Sequence, residues 1–211
     1  MSATREGSEG AAQQSRVPVA QNGARRGEIL RAAALSFAER GYSGTNLEDI
    51  CGGVGIAKPT LYHHFPSKAA ILFHVLSDYL ELIIALAEAP ERLALSPPDQ
   101  LLEVMKDMIA SLDSHRGEVR CVNDGDVALL PAPMAEQIIK LGDCYGKRLD
   151  HILLAGREGH YFAFDDVTIA RLSVQGVCGW AYNWYRPGGP LTAEEVATRL
   201  WRLLLTGIQT T

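Results

Sequence analysis

At 211 residues and 22.9 kDa the chain is long enough to bury a core, as one domain or as two small ones. Its 47% hydrophobic and 21% charged residues read as a soluble globular protein; with no apolar run near the roughly 18 to 20 residues of a bilayer span, and no apolar signal segment at the start, a membrane role is excluded and a cytoplasmic location expected. The net charge of −5 argues against nucleic-acid binding only until it is divided: residues 25–68 carry six cations against four anions and residues 69–211 twelve against nineteen, the pattern of a small anion-binding head on an acidic body.

Residues 1–24, rich in Ser, Gly, Gln and Ala, are expected to form a disordered arm, with order beginning near Arg26. In "RGEILRAAALSFAERGY", Ile29, Leu30, Ala33, Leu35 and Phe37 fall on one broad helical face, and Gly41 supplies a stop. Thr45 followed by Glu48 makes a capping box for a short second helix with Leu47, Ile50, Cys51 and Val54 on its apolar side, ended by Gly55. The cysteines Cys51, Cys121, Cys144 and Cys178 form no CxxC pair, so neither a zinc site nor a disulfide framework is expected and buried thiols are the simpler reading. No metal and no cofactor are expected.

The stretch "GIAKPTLYHHFPSKAAIL", residues 55–72, carries the most specific signal. Ala57 stands at a cap position, Lys58 and Pro59 open a helix where the proline's missing amide costs nothing, and Leu61 with Phe65 packs inward. Thr60, Tyr62, His63 and His64 are left on the other faces. A helix of two turns needs its neighbours for support, and the succession of helix, glycine turn and short helix is that of a helix-turn-helix. Ser67 caps the long helix that follows, and Lys68 adds a positive charge beside its free amides, a combination suited to a phosphate. Taken without this setting, Tyr62 is a brace and the two histidines are solvated side chains; as neighbours pointing in different directions they are poor joint metal ligands.

These residues resemble the TetR/AcrR family of one-component transcriptional regulators. The resemblance spans about residues 26–72, and the string Thr60-Leu61-Tyr62-x-His64-Phe65-x-Ser67-Lys68 is its most specific part. Cys51, Ala57 and Pro59 depart from the residues usual there. The resemblance implies an all-α fold with a three-helix DNA-binding domain over residues 25–70 and a helical ligand-binding and dimerisation domain over residues 71–211. It implies that Thr45, Tyr62 and Lys68 contact phosphates, that Lys58, Pro59, Thr60 and His63 lie nearest the bases, and that Arg25 and Arg26 reach an adjacent minor groove.

The remainder reads as helical and less specific. "PDQLLEVMKDMIASLDSH" and "PMAEQIIKLGDCYGKRLDHILLAGREGH" carry apolar stripes that are core first. Met105, Met108 and Tyr145 are the candidates to line a ligand cavity, because methionine adapts to shape and tyrosine brings a polar tip; Trp180 and Asn183 are the candidates from the following helix, which runs apolar from Val167 to Trp184 and is expected to stop before Pro187. Thr192 and Glu195 form another capping box, opening a helix whose Trp201, Leu204 and Leu205 make a face for a partner. In the family the final two helices form a dimer interface, and "WAYNWYRPGGPLTAEE" looks like members that sense lipid-derived or acyl-CoA molecules. The expected protein is a homodimeric repressor of a double-stranded DNA operator, released by a small, largely apolar effector. Two other classes compete: a ligand-binding or scaffold protein without DNA function, and a small enzyme using Asp143, His151 and Asp165-Asp166, which no nucleophile or metal spacing connects.

Overall fold

The computed structural model describes residues 19–207, which form ten α-helices and two short 3₁₀ turns without a strand. Of the expected arm, residues 1–18 lie outside the described residues; its last six belong to the first helix, α1 (Val19–Gly44), which starts well before Arg26. Ile29, Leu30, Ala33, Ala34 and Phe37 form its buried stripe. Leu35, expected among them, is 54% exposed, because it sits two residues short of Phe37, on the opposite side of the helix. The regular helix breaks at Gly41, whose φ of 74° is open to glycine and strained for most other residues.

The second helix, α2 (Leu47–Val54), corrects the expected cap by one residue. Asn46 and Asp49, rather than Thr45 and Glu48, form its capping box: the Asp49 amide donates to the Asn46 side chain at 2.8 Å and the Asn46 amide to the Asp49 carboxylate at 3.2 Å. Both pairs have the required spacing. Thr45 is taken by the interior, its hydroxyl donating to the carbonyls of Ser36 and Gly41 at 2.9 and 3.0 Å. Gly55 ends α2 in the left-handed conformation, at φ 70°. The third helix, α3 (Lys58–His64), opens at Ala57 without a side-chain cap, has Pro59 in its first turn, and anchors itself by fully buried Leu61 and by Phe65 just beyond its end.

Ser67 caps α4 (Lys68–Ala87), accepting from the Ala70 amide. This helix is, by length and composition, long and apolar enough to cross a bilayer, contrary to the sequence expectation. Its Ile71, Leu72, Val75, Leu76 and Leu80 are buried against other helices of the chain, which is the composition of a central core helix. A single turn, α5 (Pro90–Leu93), leads to α6 (Pro97–Ser114), α7 (Arg116–Asn123) and, after a 3₁₀ turn at Asp126–Leu129, α8 (Ala132–Glu158). Then α9 (Val167–Gly179) ends well before Pro187, passing into a 3₁₀ turn at Trp180–Asn183, and α10 (Ala193–Thr206) starts at the foreseen Thr192–Glu195 capping box.

The head formed by α1–α3 has no core of its own. Buried side chains run as one cluster from Ile29 to Ala197. Helix α7 lies directly on α1: a Cβ added to Gly117 would stand 2.6 Å from the Ala34 carbonyl carbon, so the two backbones approach as only glycine permits.

Candidate nucleic-acid interface and body cavity

On the head, α3 turns Lys58, Pro59, Thr60, Tyr62 and His63 outward, with Tyr62 48% exposed, while Leu61 and Phe65 hold it from beneath. These five side chains form a polar and aromatic face along a supported helix. Lys58 is paired with Glu48 of α2. The bond to Glu48 raises the Lys58 ammonium above its ordinary value, and the same bond holds the Glu48 carboxyl low. His63 and His64 stand edge to face, 5.7 Å between ring centroids. Among the described residues no group of three or more His, Cys, Asp or Glu side chains is placed to hold a metal ion.

Four other expected DNA contacts are arranged differently. Thr45 is 1% exposed and its hydroxyl is committed inward, so it supports the α1–α2 corner and does not face a phosphate. Lys68 folds back: its Nζ donates to the carbonyls of Tyr42 and Thr45, both at 2.8 Å, and lies 4.4 Å from the Tyr42 ring centroid. These carbonyls follow the break at Gly41, and an ammonium satisfies them well. Arg26 reaches the other way, to Asp78 of α4 at 2.7 Å, with its guanidinium 5.6 Å from the Phe65 ring centroid. Arg25 is exposed and paired with Glu28 on its own helix.

In the body, α4, α6, α7, α8 and α9 line a partly open cavity of about 160 Å³. Tyr79, Leu80 and Ile83 of α4 form one wall, Met108 of α6 and Tyr145 of α8 another, and Gln175, Cys178 and Gly179 of α9 a third; Val119, Val122 and Asn123 of α7 complete it. Burial pushes the Tyr79 hydroxyl and the Cys178 thiol up to about 12 and the Tyr145 hydroxyl further, so the walls are uncharged near neutral pH. Met108 and Tyr145 both line this cavity. Met105, one turn before Met108 on the same side of α6, is 0% exposed and belongs to the packed core, because neighbouring helices close over that turn and leave the next one facing the cavity. Trp180, 65% exposed, and Asn183 lie outside the cavity, since the regular helix has ended before them. Gln175 and Asn123 went unrecognised; a polar residue on a largely apolar helix was the available signal for Gln175.

On the final helix, Trp201 turns into its own chain, donating from Nε1 to the Pro98 carbonyl at 3.2 Å. Leu204 is half-buried and Leu205 is 39% exposed. Leu203 of the same helix is exposed too, and a further outward apolar line is on α9, at Ile169, Leu172 and, just past its end, Trp180. The residues of the enzyme reading are dispersed: Asp143 and His151 are exposed on α8, and Asp166 caps α9.

Residues 29–75 match the family described as bacterial regulatory proteins, tetR family, and residues 94–208 match the tetracyclin repressor-like C-terminal domain. The HTH-type transcriptional repressor KstR2 of Mycobacterium tuberculosis (strain ATCC 25618 / H37Rv) is 32% identical over 189 residues, covering 89% of this chain and 94% of that protein. Its solved structure, that of a ketosteroid transcriptional regulator, superimposes with a TM-score of 0.79 at 31% identity, over 89% of this chain and 96% of the other. AibR, solved in complex with isovaleryl coenzyme A and operator DNA, gives a TM-score of 0.76 at 25% identity, over 86% of this chain and 98% of that one. A supported α3 face, an all-helical body and matches across both halves lead to one conclusion: the chain belongs to the TetR family of bacterial transcriptional regulators, DNA-binding proteins and not enzymes.

Proposed function

We propose that this chain is a homodimeric repressor whose α3 face reads an operator and whose body cavity takes the apolar end of a small effector, an acyl-CoA or similar lipid-derived molecule, that releases the DNA. The observation that carries this reading is that one helix serves both sites. Val119, Val122 and Asn123 of α7 wall the cavity, and Gly117 of the same helix presses on α1 of the head. An effector that favours one setting of α7 therefore also favours one setting of α1 and α3. It shifts the equilibrium only as far as its affinities for the two settings differ.

On the DNA side, Lys58, Pro59, Thr60 and His63 are the residues offered to base edges, and Tyr62 and Arg25 to phosphates, while Thr45, Lys68 and Arg26 hold the head in shape. The acyl-CoA class is supported by the AibR complex, and the repressor role by the KstR2 relatives. Such a protein works in the cytoplasm, where operator and thioester are both found. The test is a mobility shift with the chain's own promoter fragment, with and without a panel of acyl-CoAs, alongside thermal shift of the free protein. Specific retardation relieved by an acyl-CoA that also raises Tm is the expected result. No specific band removes the regulator of this promoter; stabilisation without release leaves a binding protein whose ligand is no inducer.

A further inference from the structure

The cavity does not end at its walls. Asn123, Gln175 and Gly179 also line a shallow surface groove of about 340 Å³ that runs over Gly176. Tyr182 joins that groove to a cleft of about 390 Å³ between α1 and α7, and this cleft carries Arg116, Arg120 and Arg186. Neighbouring depressions that share these residues thus lead from an uncharged interior, past amide side chains, to three guanidinium groups. Arg116 uses part of its donor set on the carbonyls of Tyr182 and Tyr185, and Arg186 on those of Asn183 and Tyr185; among the described residues neither is paired with a carboxylate. Arg120 bonds Asp124, which also accepts from the Tyr182 hydroxyl at 2.8 Å. Glu39 of α1 stands on the opposite wall.

We propose that this cleft is a polyphosphate subsite for the coenzyme A portion of the effector, an inference that rests on the acyl-CoA reading above. Each segment matches one part of such a thioester. The cavity is close to the roughly 150 Å³ that holds a benzene-sized group, which suits a short branched chain or a single ring. The uncharged, amide-bearing pantetheine arm follows the groove past Asn123 and Gln175. Phosphates end among arginine forks, whose planar donors fit phosphate oxygens in pairs. Because Leu35, Ala38 and Glu39 of α1 form a wall of the same cleft, phosphate charge arrives beside a carboxylate on the head's own helix. A free fatty acid would fill the cavity and leave this contact unmade.

Calorimetric titration of the full chain with coenzyme A, isovaleryl-CoA and isovaleric acid tests the proposal in wild type, in Arg120→Ala/Arg186→Ala, in the corresponding double Lys variant, and in Met108→Trp. Arg116 is left in place because its carbonyl bonds support the turn after α9. The double Ala variant is expected to bind both coenzyme A ligands at least tenfold more weakly, about 1.4 kcal/mol per decade, with a shallower salt dependence, and the Lys variant to recover part of the loss. Met108→Trp is expected to bind coenzyme A as wild type does and to lose the gain from the acyl group. Unchanged binding of both coenzyme A ligands by the double Ala variant overturns the subsite while the effector reading stands. If isovaleryl-CoA binds no more tightly than coenzyme A, yet both depend on the arginines, the acyl reading falls and the subsite remains. Binding of neither overturns both.

Discussion

Lys68 is the residue whose role changes most once its partners are known. Two carbonyls and the Tyr42 ring hold its ammonium at the junction of α1 and α2, and bonds from a charged donor contribute more than neutral ones. Lys68→Met is expected to cost about 2 kcal/mol of stability and to weaken operator binding without altering its salt slope. A slope shallower by about one contact, with Tm unchanged, would return Lys68 to the phosphates. His64 offers a second test. Burial, helped by the positive charges of His63, Arg25 and Arg26, holds its imidazole below the ordinary 6.5. The folded ring therefore binds fewer protons than the unfolded one as pH falls through that value, so its contribution, present above 6.5, is lost on acidification. The drop in Tm between pH 7.5 and 5.5 should be smaller in His64→Gln than in wild type; equal drops would assign the pH response to other groups.

Among the elements, α7 has the most to transmit and the least room. Its Gly117 touches α1 backbone to backbone, and a methyl group there must push the helices apart. Overpacking of this kind costs about 1 to 3 kcal/mol, so Gly117→Ala should lower the Tm by several degrees. It should also reduce operator affinity. Normal affinity and release in this variant would show that α1 is not set by α7. The α10 start is the contrasting case, a local device: Thr192→Ala removes one partner of its capping box and is expected to cost about 1 kcal/mol with operator binding and effector response unaltered at saturating protein, as circular dichroism melts and mobility shifts would report.

Considered whole, the molecule leaves an apolar line along α9 at Ile169, Leu172 and Trp180, with Leu205 of α10 exposed as well. A second copy is the occupant that the proposed repressor requires, and a stable interface should bury more than about 1,000 Å². Sedimentation at micromolar concentration should therefore give about twice the chain mass, and Leu172→Glu should shift it towards monomer and abolish cooperative operator binding. A wild-type monomer, or a dimer indifferent to this charge, would move the interface elsewhere. Trp201 is no longer a useful probe, because its indole is engaged within its own chain.

What could be read from the order of residues was local. Gly41 and Gly55 stop helices because they adopt positive φ, Ser67 and Thr192 cap because an oxygen lies three residues before a free amide, and "KPTLYHH" shows its outward face because Leu61 and Phe65 are one turn apart. These interactions span at most about a turn, and helical periodicity carries them. Tertiary structure decided the rest. Thr45–Glu48 and Asn46–Asp49 have equal spacing, and the carbonyls of Ser36, nine residues upstream, and Gly41 withdraw Thr45 from the cap. Lys68 turns inward to carbonyls 23 and 26 residues away. Met105 and Met108 are alike in sequence, and the packing of five helices makes one core and the other cavity wall. Partners so distant along the chain meet only when the helices have docked, and no spacing of residues encodes which carbonyl or void will be waiting there.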